Sequence, residues 1–221
     1  MGKLLQIVTP IHQSTQRDYL GRMIDNKASC MVVAKKYDKD YWDGDRRYGY
    51  GGYRYIPGRL ESIAKKLIEQ YGLNSNSKIL DVGCGKGYLL YEFFKLIPGA
   101  ELRGIDASSY AINNAKEEIK EFLTIARAEE VLPFETKTFD LVISLGTFHN
   151  LKMRDLPLAL SELERVGNSK YLMLESYRNE QELFNLQCWA LTAESFFDVD
   201  DWLWLYNKFG YSGDYEFIFF E

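Results

Sequence analysis

An excess of basic charge, paired cysteines, histidine and long apolar runs are all missing or scarce in this 221-residue chain. Lys and Arg number 27 against 32 Asp and Glu, a formal net charge of -5. Proteins that live on phosphate backbones are usually basic, so the balance argues against a nucleic-acid partner. The three cysteines, Cys30, Cys84 and Cys188, are odd in number and widely spaced. That pattern suggests neither a disulfide framework nor a zinc site, and no metal is expected. No apolar run nears the roughly 18 residues of a membrane span. The run LLQIV (4–8) is too short for the apolar part of a signal peptide, so the expected address is the cytoplasm, with no membrane partner.

What is present is a globular composition, 46% hydrophobic and 15% aromatic. Residues 1–57 read as an N-terminal helical cap with a loop. Thr15-x-x-Asp18 starts a helix carrying Tyr19, Met23 and Ile24, and a second helical piece covers 27–37 before the acidic, aromatic YDKDYWDGD. From Pro57 the rhythm is regular, and 58–221 reads as one α/β domain. Leu60, Ile63, Ala64, Leu67, Ile68 and Tyr71 share a helical face that Gly72 ends. KILDVG (78–83), ELRGID (101–106), TIARA (124–128), FDLVISL (139–145) and YLMLES (171–176) read as strands, each followed by a helix or loop. His12 has no motif around it and is expected on the surface. A helix near 198–209 and a strand EFIFF (216–220) close the pattern, and 185–197 is ambiguous between helix and strand. Alternating strands and helices mean a doubly wound, mostly parallel sheet with both faces covered.

The chemistry-bearing stretch is ILDVGCGKGYLL (79–90). A strand ends in Asp81, turns through Gly83, Gly85 and Gly87, and enters a helix. Glycine permits positive φ there and lets backbone approach a ligand. Nineteen residues after Gly87 the next strand ends in Asp106, where a carboxylate can accept both hydroxyls of a ribose. Tyr88 stands where a dinucleotide fingerprint wants its third Gly. Asp81 would face a pyrophosphate unfavourably but suits the ammonium of a methionine moiety.

On these residues the chain resembles the class I S-adenosylmethionine-dependent methyltransferases. DVGCGKG is similar to their first motif and GIDAS (104–108) to the second. LPFETKTFDLVIS (132–144) resembles their acid-bearing loop and fourth strand, and SLGTFHNL (144–151) the segment that faces the substrate. The resemblance implies a seven-stranded sheet with a reversed last hairpin. It implies S-adenosyl-L-methionine as cofactor, over Gly83, Cys84 and Gly85, with Asp81 at its amino-acid end and Asp106 and Ala107 at its ribose. Ala128, Glu129 and Leu145 complete the implied cofactor wall. Arg127 departs from the Asp that the family usually has before that Ala, and one residue is inserted before Leu132. The tracts WDGDRRYGYGGYRYIPGR and SYRNEQELFNLQCWALTAESFF also loosely resemble methyltransferases of bacterial surface-polysaccharide gene clusters.

His149 follows the fourth strand and Glu175 ends the fifth, both at the carboxyl edge where open α/β sheets bind ligands. Either can act as a base toward a hydroxyl acceptor. RRYGYGGYRYIPGR (46–59) holds four Tyr, four Arg and four Gly. It precedes the helix that leads into the first strand, so it can fold over that edge as a lid. Tyr48, Tyr50, Tyr53 and Tyr55 can then cover the sulfonium or a flat substrate face, and Arg46, Arg47, Arg54 and Arg59 can grip an anionic acceptor. Tyr50, Tyr53, Arg54, Arg59 and His149 are the expected substrate contacts. The alternatives are an ordered loop whose tyrosines merely pack and a nucleic-acid-binding tract. The expected activity is methyl transfer to a small polar acceptor, a hydroxyl of a sugar or phosphorylated metabolite. The rivals are an RNA or protein methyltransferase, a catalytically silent binding module and a nicotinamide-dependent oxidoreductase.

Overall fold

The computed structural model describes residues 2–221. Six strands form one sheet: β1 (Lys78–Val82), β2 (Glu101–Asp106), β3 (Leu123–Ile125), β4 (Phe139–Leu145), β5 (Gly167–Glu175) and β6 (Asp214–Ile218). Their order is β3-β2-β1-β4-β5-β6. Every pair is parallel. The direction of winding reverses between β1 and β4, so a crevice opens at the carboxyl edge there.

Side chains alternate across the sheet because successive Cβ atoms point to opposite faces. Ile79, Leu141, Ile143 and Tyr171 pack on one face with the helix Glu61–Tyr71 and the helix Tyr88–Leu96. Leu80, Val142, Leu172 and Leu174 pack on the other with the helices Leu156–Val166 and Val199–Lys208. Gly72 ends the first of these helices at φ 62°, as its place in the sequence requires.

The class I methyltransferase architecture is therefore present, but the expected seventh, reversed strand is not seen among the described residues. The segment 185–197 supplies no strand. It completes a helix, Glu180–Trp189, and continues as a buried coil. The helix Val199–Lys208 then carries the chain back to the amino edge, so β6 enters parallel to β5. The N-terminus covers the outer edge of β6. Leu5 N–H donates to Tyr215 O at 2.8 Å, and Tyr215 N–H donates to Lys3 O at 3.0 Å. An edge that would template foreign strands is closed by the chain itself.

Further boundaries differ from the sequence reading. The third strand ends at Ile125, and Ala126–Ala128 turn away toward the crevice. The helix at Tyr19–Ile24 is capped by Asp18, which accepts from Gly21 N–H, and not by Thr15. Three more short helices, Thr9–Gln13, Lys27–Ala34 and Lys39–Asp43, complete the N-terminal segment. No helix among the described residues is long and apolar enough to cross a membrane.

Candidate active site

A cavity of about 430 Å³ lies at the carboxyl edge. Gly83, Asp106, Ala107, Ala128, Glu129 and Leu145 all line it. Tyr37, Trp42 and Tyr50 from the N-terminal segment form the opposite wall, with Thr147 and Asn150 from the turn after β4.

The glycine turn is shaped by contacts as well as by dihedral angle. Gly83 sits at φ 83°, and a Cβ there would meet Thr147 Oγ1. Gly85 sits at φ 57°, where a Cβ would lie 2.9 Å from the Trp42 ring. The N–H groups of the turn are already used. Gly83 and Cys84 donate to Ile105 O, Gly87 to Cys84 O, and Gly85 to Asp106 Oδ2. A pyrophosphate would find none of these four free, which disfavours the dinucleotide alternative. Asp81, Cys84 and Gly85 are not among the residues that line the cavity. The Cys84 thiol turns into the core beside Gly104, and burial pushes its pKa up.

Asp106 receives N–H bonds from Gly85 and Ser108, both at 2.8 Å, which fix its carboxylate at the cavity wall. Asp81 is different. It is buried, 4% exposed, and its carboxylate has no hydrogen-bond or ion-pair partner among the described residues. Burial first, and then the charge of Asp106, push its pKa up to about 8. A cationic group bound beside it would reverse that cost. The ammonium of S-adenosylmethionine would be such a group, and the Asp106 carboxylate and the apolar Ala107, Ala128 and Leu145 on the cavity wall are the kinds of group its ribose and adenine would meet. At the far end Arg127 pairs with Glu129 at 2.5 Å, so the residue that departs from the family pattern closes on its neighbour.

His149 and Glu175 come together. His149 lies in a 3-10 turn, Phe148–Asn150, with only 4% exposure. Its backbone carbonyl accepts from Glu194 and Ser195 N–H, so the coil after the helix Glu180–Trp189 holds the turn. Glu175 N–H donates to Nδ1 at 3.3 Å, which assigns the ring proton to Nε2, 3.4 Å from Glu175 Oε2. Burial lowers the His149 pKa, with Glu175 opposing, so the ring is neutral at neutral pH. Neither residue is among the cavity's lining, and His149 reaches it only through its neighbours Thr147 and Asn150.

The tract 46–59 folds onto the glycine turn. Tyr50 stacks on Trp42 at 5.3 Å and Tyr53 on Tyr88 at 5.1 Å between ring centroids. Buried Lys86, inside the glycine turn, pairs with Asp43 at 2.7 Å and donates to Tyr53 O at 2.9 Å. Arg54 and Arg59 are exposed and line no part of the cavity. The sequence reading missed Trp42, Lys86 and Thr147 as wall and latch. Trp42 stood in an acidic, aromatic stretch beside the tract, which was its one visible signal.

His12, expected on the surface, is buried. Its Nε2 bonds Phe219 O at 2.9 Å and its Nδ1 meets Arg17 at 3.0 Å. Burial, then Arg17, lower its pKa to about 4. These partners come largely from the far end of the chain, so no local pattern announces them.

Comparison with known proteins agrees with this geometry. A family model described as "Methyltransferase domain" matches residues 73–210. The chain is 32% identical over 116 residues to "Arginine-hydroxylase NDUFAF5, mitochondrial" of Mus musculus, covering 52% of this chain and 33% of that protein. It is 33% identical over 89 residues to the malonyl-[acyl-carrier protein] O-methyltransferase of Bacillus anthracis, covering 39% of this chain and 33% of that one. The chain thus spans about a third of the length of these curated relatives. In fold it is similar to a SAM dependent methyltransferase from Aquifex aeolicus, with TM-score 0.50, 23% identity and coverage of 71% and 84%. It is also similar to geranyl diphosphate C-methyltransferase from Streptomyces coelicolor A3(2), with TM-score 0.53, 12% identity and coverage of 66% and 59%. With the glycine turn, the acid ending β2 and a matched domain over more than half its length, the chain belongs to the class I S-adenosylmethionine-dependent methyltransferases.

Proposed function

We propose that this chain transfers a methyl group to a hydroxyl of a small polar acceptor, a sugar or a phosphorylated metabolite. The observation that carries the reading is the Glu175–His149 pair, 3.4 Å apart, at the carboxyl edge beside the cavity. The cofactor supplies an activated methyl on its sulfonium. The chain's own residues have to align the acceptor, exclude water and accept one proton. A neutral His149 that takes a bond on Nδ1 and points Nε2–H at Glu175 has no free lone pair for a substrate. Glu175 does, so it is the proton acceptor in this reading and His149 is a positioning residue. As the acceptor oxygen bonds the methyl carbon, the carbon–sulfur bond would break with its electron pair left on sulfur, giving S-adenosylhomocysteine, and the acceptor's proton would pass to a Glu175 oxygen. Trp42, Tyr50 and Tyr53 form the water-excluding cover.

The relatives do not choose the acceptor, since one is named for an acyl-carrier-protein acid and another for ribosomal RNA. A net charge of -5 weighs against a polyanion. None of the relatives named above is a surface-polysaccharide methyltransferase, and the choice of a sugar rests on the loose resemblance of two tracts alone.

The test is labelled-methyl transfer from S-adenosylmethionine into fractionated metabolites, RNA and protein. Label in a small polar metabolite is expected. Glu175→Gln should cut it by about 10²–10⁴ while S-adenosylhomocysteine affinity stays within about threefold. Label only in RNA or protein would replace the acceptor class, and no label anywhere would leave a binding module.

A further inference from the structure

The guanidinium groups of three arginines from separate segments converge on one indole. Arg17 lies 5.6 Å, Arg22 4.9 Å and Arg46 5.1 Å from the Trp189 ring centroid. Lys27 sits just behind, donating to Cys188 O and Ala190 O at 2.7 Å each. Cations gathered this closely ordinarily recruit carboxylates, and neighbouring ones do. Arg47 pairs with Asp25, Lys35 with Glu194, and Arg178 with Glu182 and Glu221. Among the described residues none of the three around Trp189 makes an ion pair. Arg17 bonds His12 and the Thr15 carbonyl, Arg22 the Arg46 and Trp189 carbonyls, and Arg46 the Gly49 carbonyl. Arg17 Nε is buried with no partner at all.

The charge left over is felt within the cluster. Burial lowers the Arg22 pKa, and Arg46 lowers it further. Burial, then Arg22, bring Lys27 down to about 8. The cluster also borders the site. Arg46 belongs to the turn leading to Tyr50, a cavity wall, and the field of Glu175 reaches Arg17. The Trp189 ring gathers the three guanidiniums, and the N–H groups that no carbonyl takes, on Arg22 and Arg46 above all, are donors suited to phosphate or carboxylate oxygens.

We propose that Arg17, Arg22 and Arg46 around Trp189 are the seat for an anionic group, phosphate or carboxylate, on the methyl acceptor. Its assignment to the acceptor rests on the function proposed above. Of the four arginines expected as a grip, the seat keeps Arg46, itself exposed, and takes Arg17 and Arg22 in place of Arg47, Arg54 and Arg59. It orients the acceptor by a group remote from the reacting hydroxyl, which is turned toward Glu175.

Inorganic phosphate and, separately, acetate would be titrated into protein saturated with S-adenosylhomocysteine, with chloride at matched ionic strength as reference. Thermal midpoint and tryptophan fluorescence are the readouts. Saturable binding of at least one anion is expected, weakened at least tenfold in Arg17→Gln and Arg46→Gln and unchanged in Arg103→Gln, a surface control. In the labelled-methyl assay the two variants should raise the acceptor KM at least tenfold with kcat within threefold. Arg17→Gln and Arg46→Gln are read independently, so one poorly folded variant does not remove the test. Phosphatase treatment of the metabolite pool abolishes labelling if the group is a phosphate and spares it if it is a carboxylate. No saturable binding, or equal binding in all variants, overturns the seat. A KM unmoved in both arginine variants overturns its assignment to the acceptor. Failure of the proposed function itself would appear in the wild-type assay, which the anion titration does not use.

Discussion

Two buried acids at different corners of the sheet have opposite surroundings. Glu216 on β6 is fully buried and surrounded by donors from its own chain. It accepts from the N–H groups of Ile7 at 2.6 Å, Val8 at 2.9 Å and Thr9 at 2.5 Å, from Thr9 Oγ1 at 2.7 Å and from the Tyr171 hydroxyl. Asp81 on β1 is almost as deeply buried and has no such partner. The first carboxylate is completed by folding, and it anchors the N-terminal segment by capping the helix Thr9–Gln13. The second receives no donor from the described residues, and a bound cation would complete it. Burial alone therefore does not mark a functional acid. What separates these two is whether the chain itself supplies donors.

The largest effect should follow from emptying the completed site. Glu216→Ala leaves three backbone N–H groups and two hydroxyls without their acceptor, at about 1–3 kcal/mol for each that water cannot reach. The expected loss exceeds roughly 3 kcal/mol, a large share of a typical domain's stability. The urea midpoint measures it. A loss under about 1 kcal/mol would mean that the N-terminal segment is not held by this carboxylate.

The incomplete site should respond in the opposite sense. Asp81→Asn replaces a carboxyl that the free fold keeps protonated at pH 7 while the unfolded chain ionises it, so the free protein should gain stability, by roughly 1–4 kcal/mol at pH 7 from a pKa displaced from about 4 to about 8. Cofactor affinity should fall by about 1.5–3 kcal/mol, the range for a hydrogen bond to a charged group. The sign with pH follows from the raised folded pKa. In the free wild type this contribution to stability is full below about pH 4 and drains away as pH rises toward 8. Binding a cation should expel the proton, so calorimetry in buffers of different ionisation enthalpy should show proton release near pH 7. Destabilisation by Asp81→Asn together with unchanged cofactor affinity would erase the distinction between the two acids.

The same contrast explains what could be read from the sequence. β1 and β4 were legible because parallel strands covered on both faces are continuous apolar runs, and Gly83 and Asp106 were legible because strand-turn-helix geometry fixes their spacing. Glu216 was not, since an acid in EFIFF looks solvent-facing until residues 7–9 arrive from the other end of the chain. The cluster on Trp189 draws Arg17, Arg22 and Arg46 from three places; Arg46 stood in the tract read as an anion grip, but nothing local joins it to the other two. The reversed last strand was implied by resemblance alone, and no residue pattern near 185–197 called for it.

Asp43 is a third kind of carboxylate, completed by groups from two parts of the chain. Tyr53 N–H belongs to the tract 46–59, read above as a lid, and Lys86 and the Tyr110 hydroxyl belong to the α/β domain. Burial pushes its pKa up, but the bonds from Lys86 and Tyr110 outweigh it and hold the carboxyl below its usual value. Its stabilisation is thus present above the free carboxylate pKa near 4 and is lost as pH falls through the lower folded value. The two partners are unequal, with Lys86 at 5% side-chain exposure and Asp43 at 26%. Lys86→Met removes the buried charge and leaves Asp43 able to rehydrate, so the global loss should stay near 1 kcal/mol or less. Asp43→Asn strands the buried ammonium, and about 3 kcal/mol is expected instead. In Lys86→Met, hydrogen exchange in 46–59 should quicken while exchange in β1 and β4 stays as in the wild type. Local loosening of that kind marks a latch. If exchange in 46–59 does not change, the stacked Trp42, Tyr50, Tyr53 and Tyr88 hold the lid by themselves, and Asp43 is completed merely as Glu216 is.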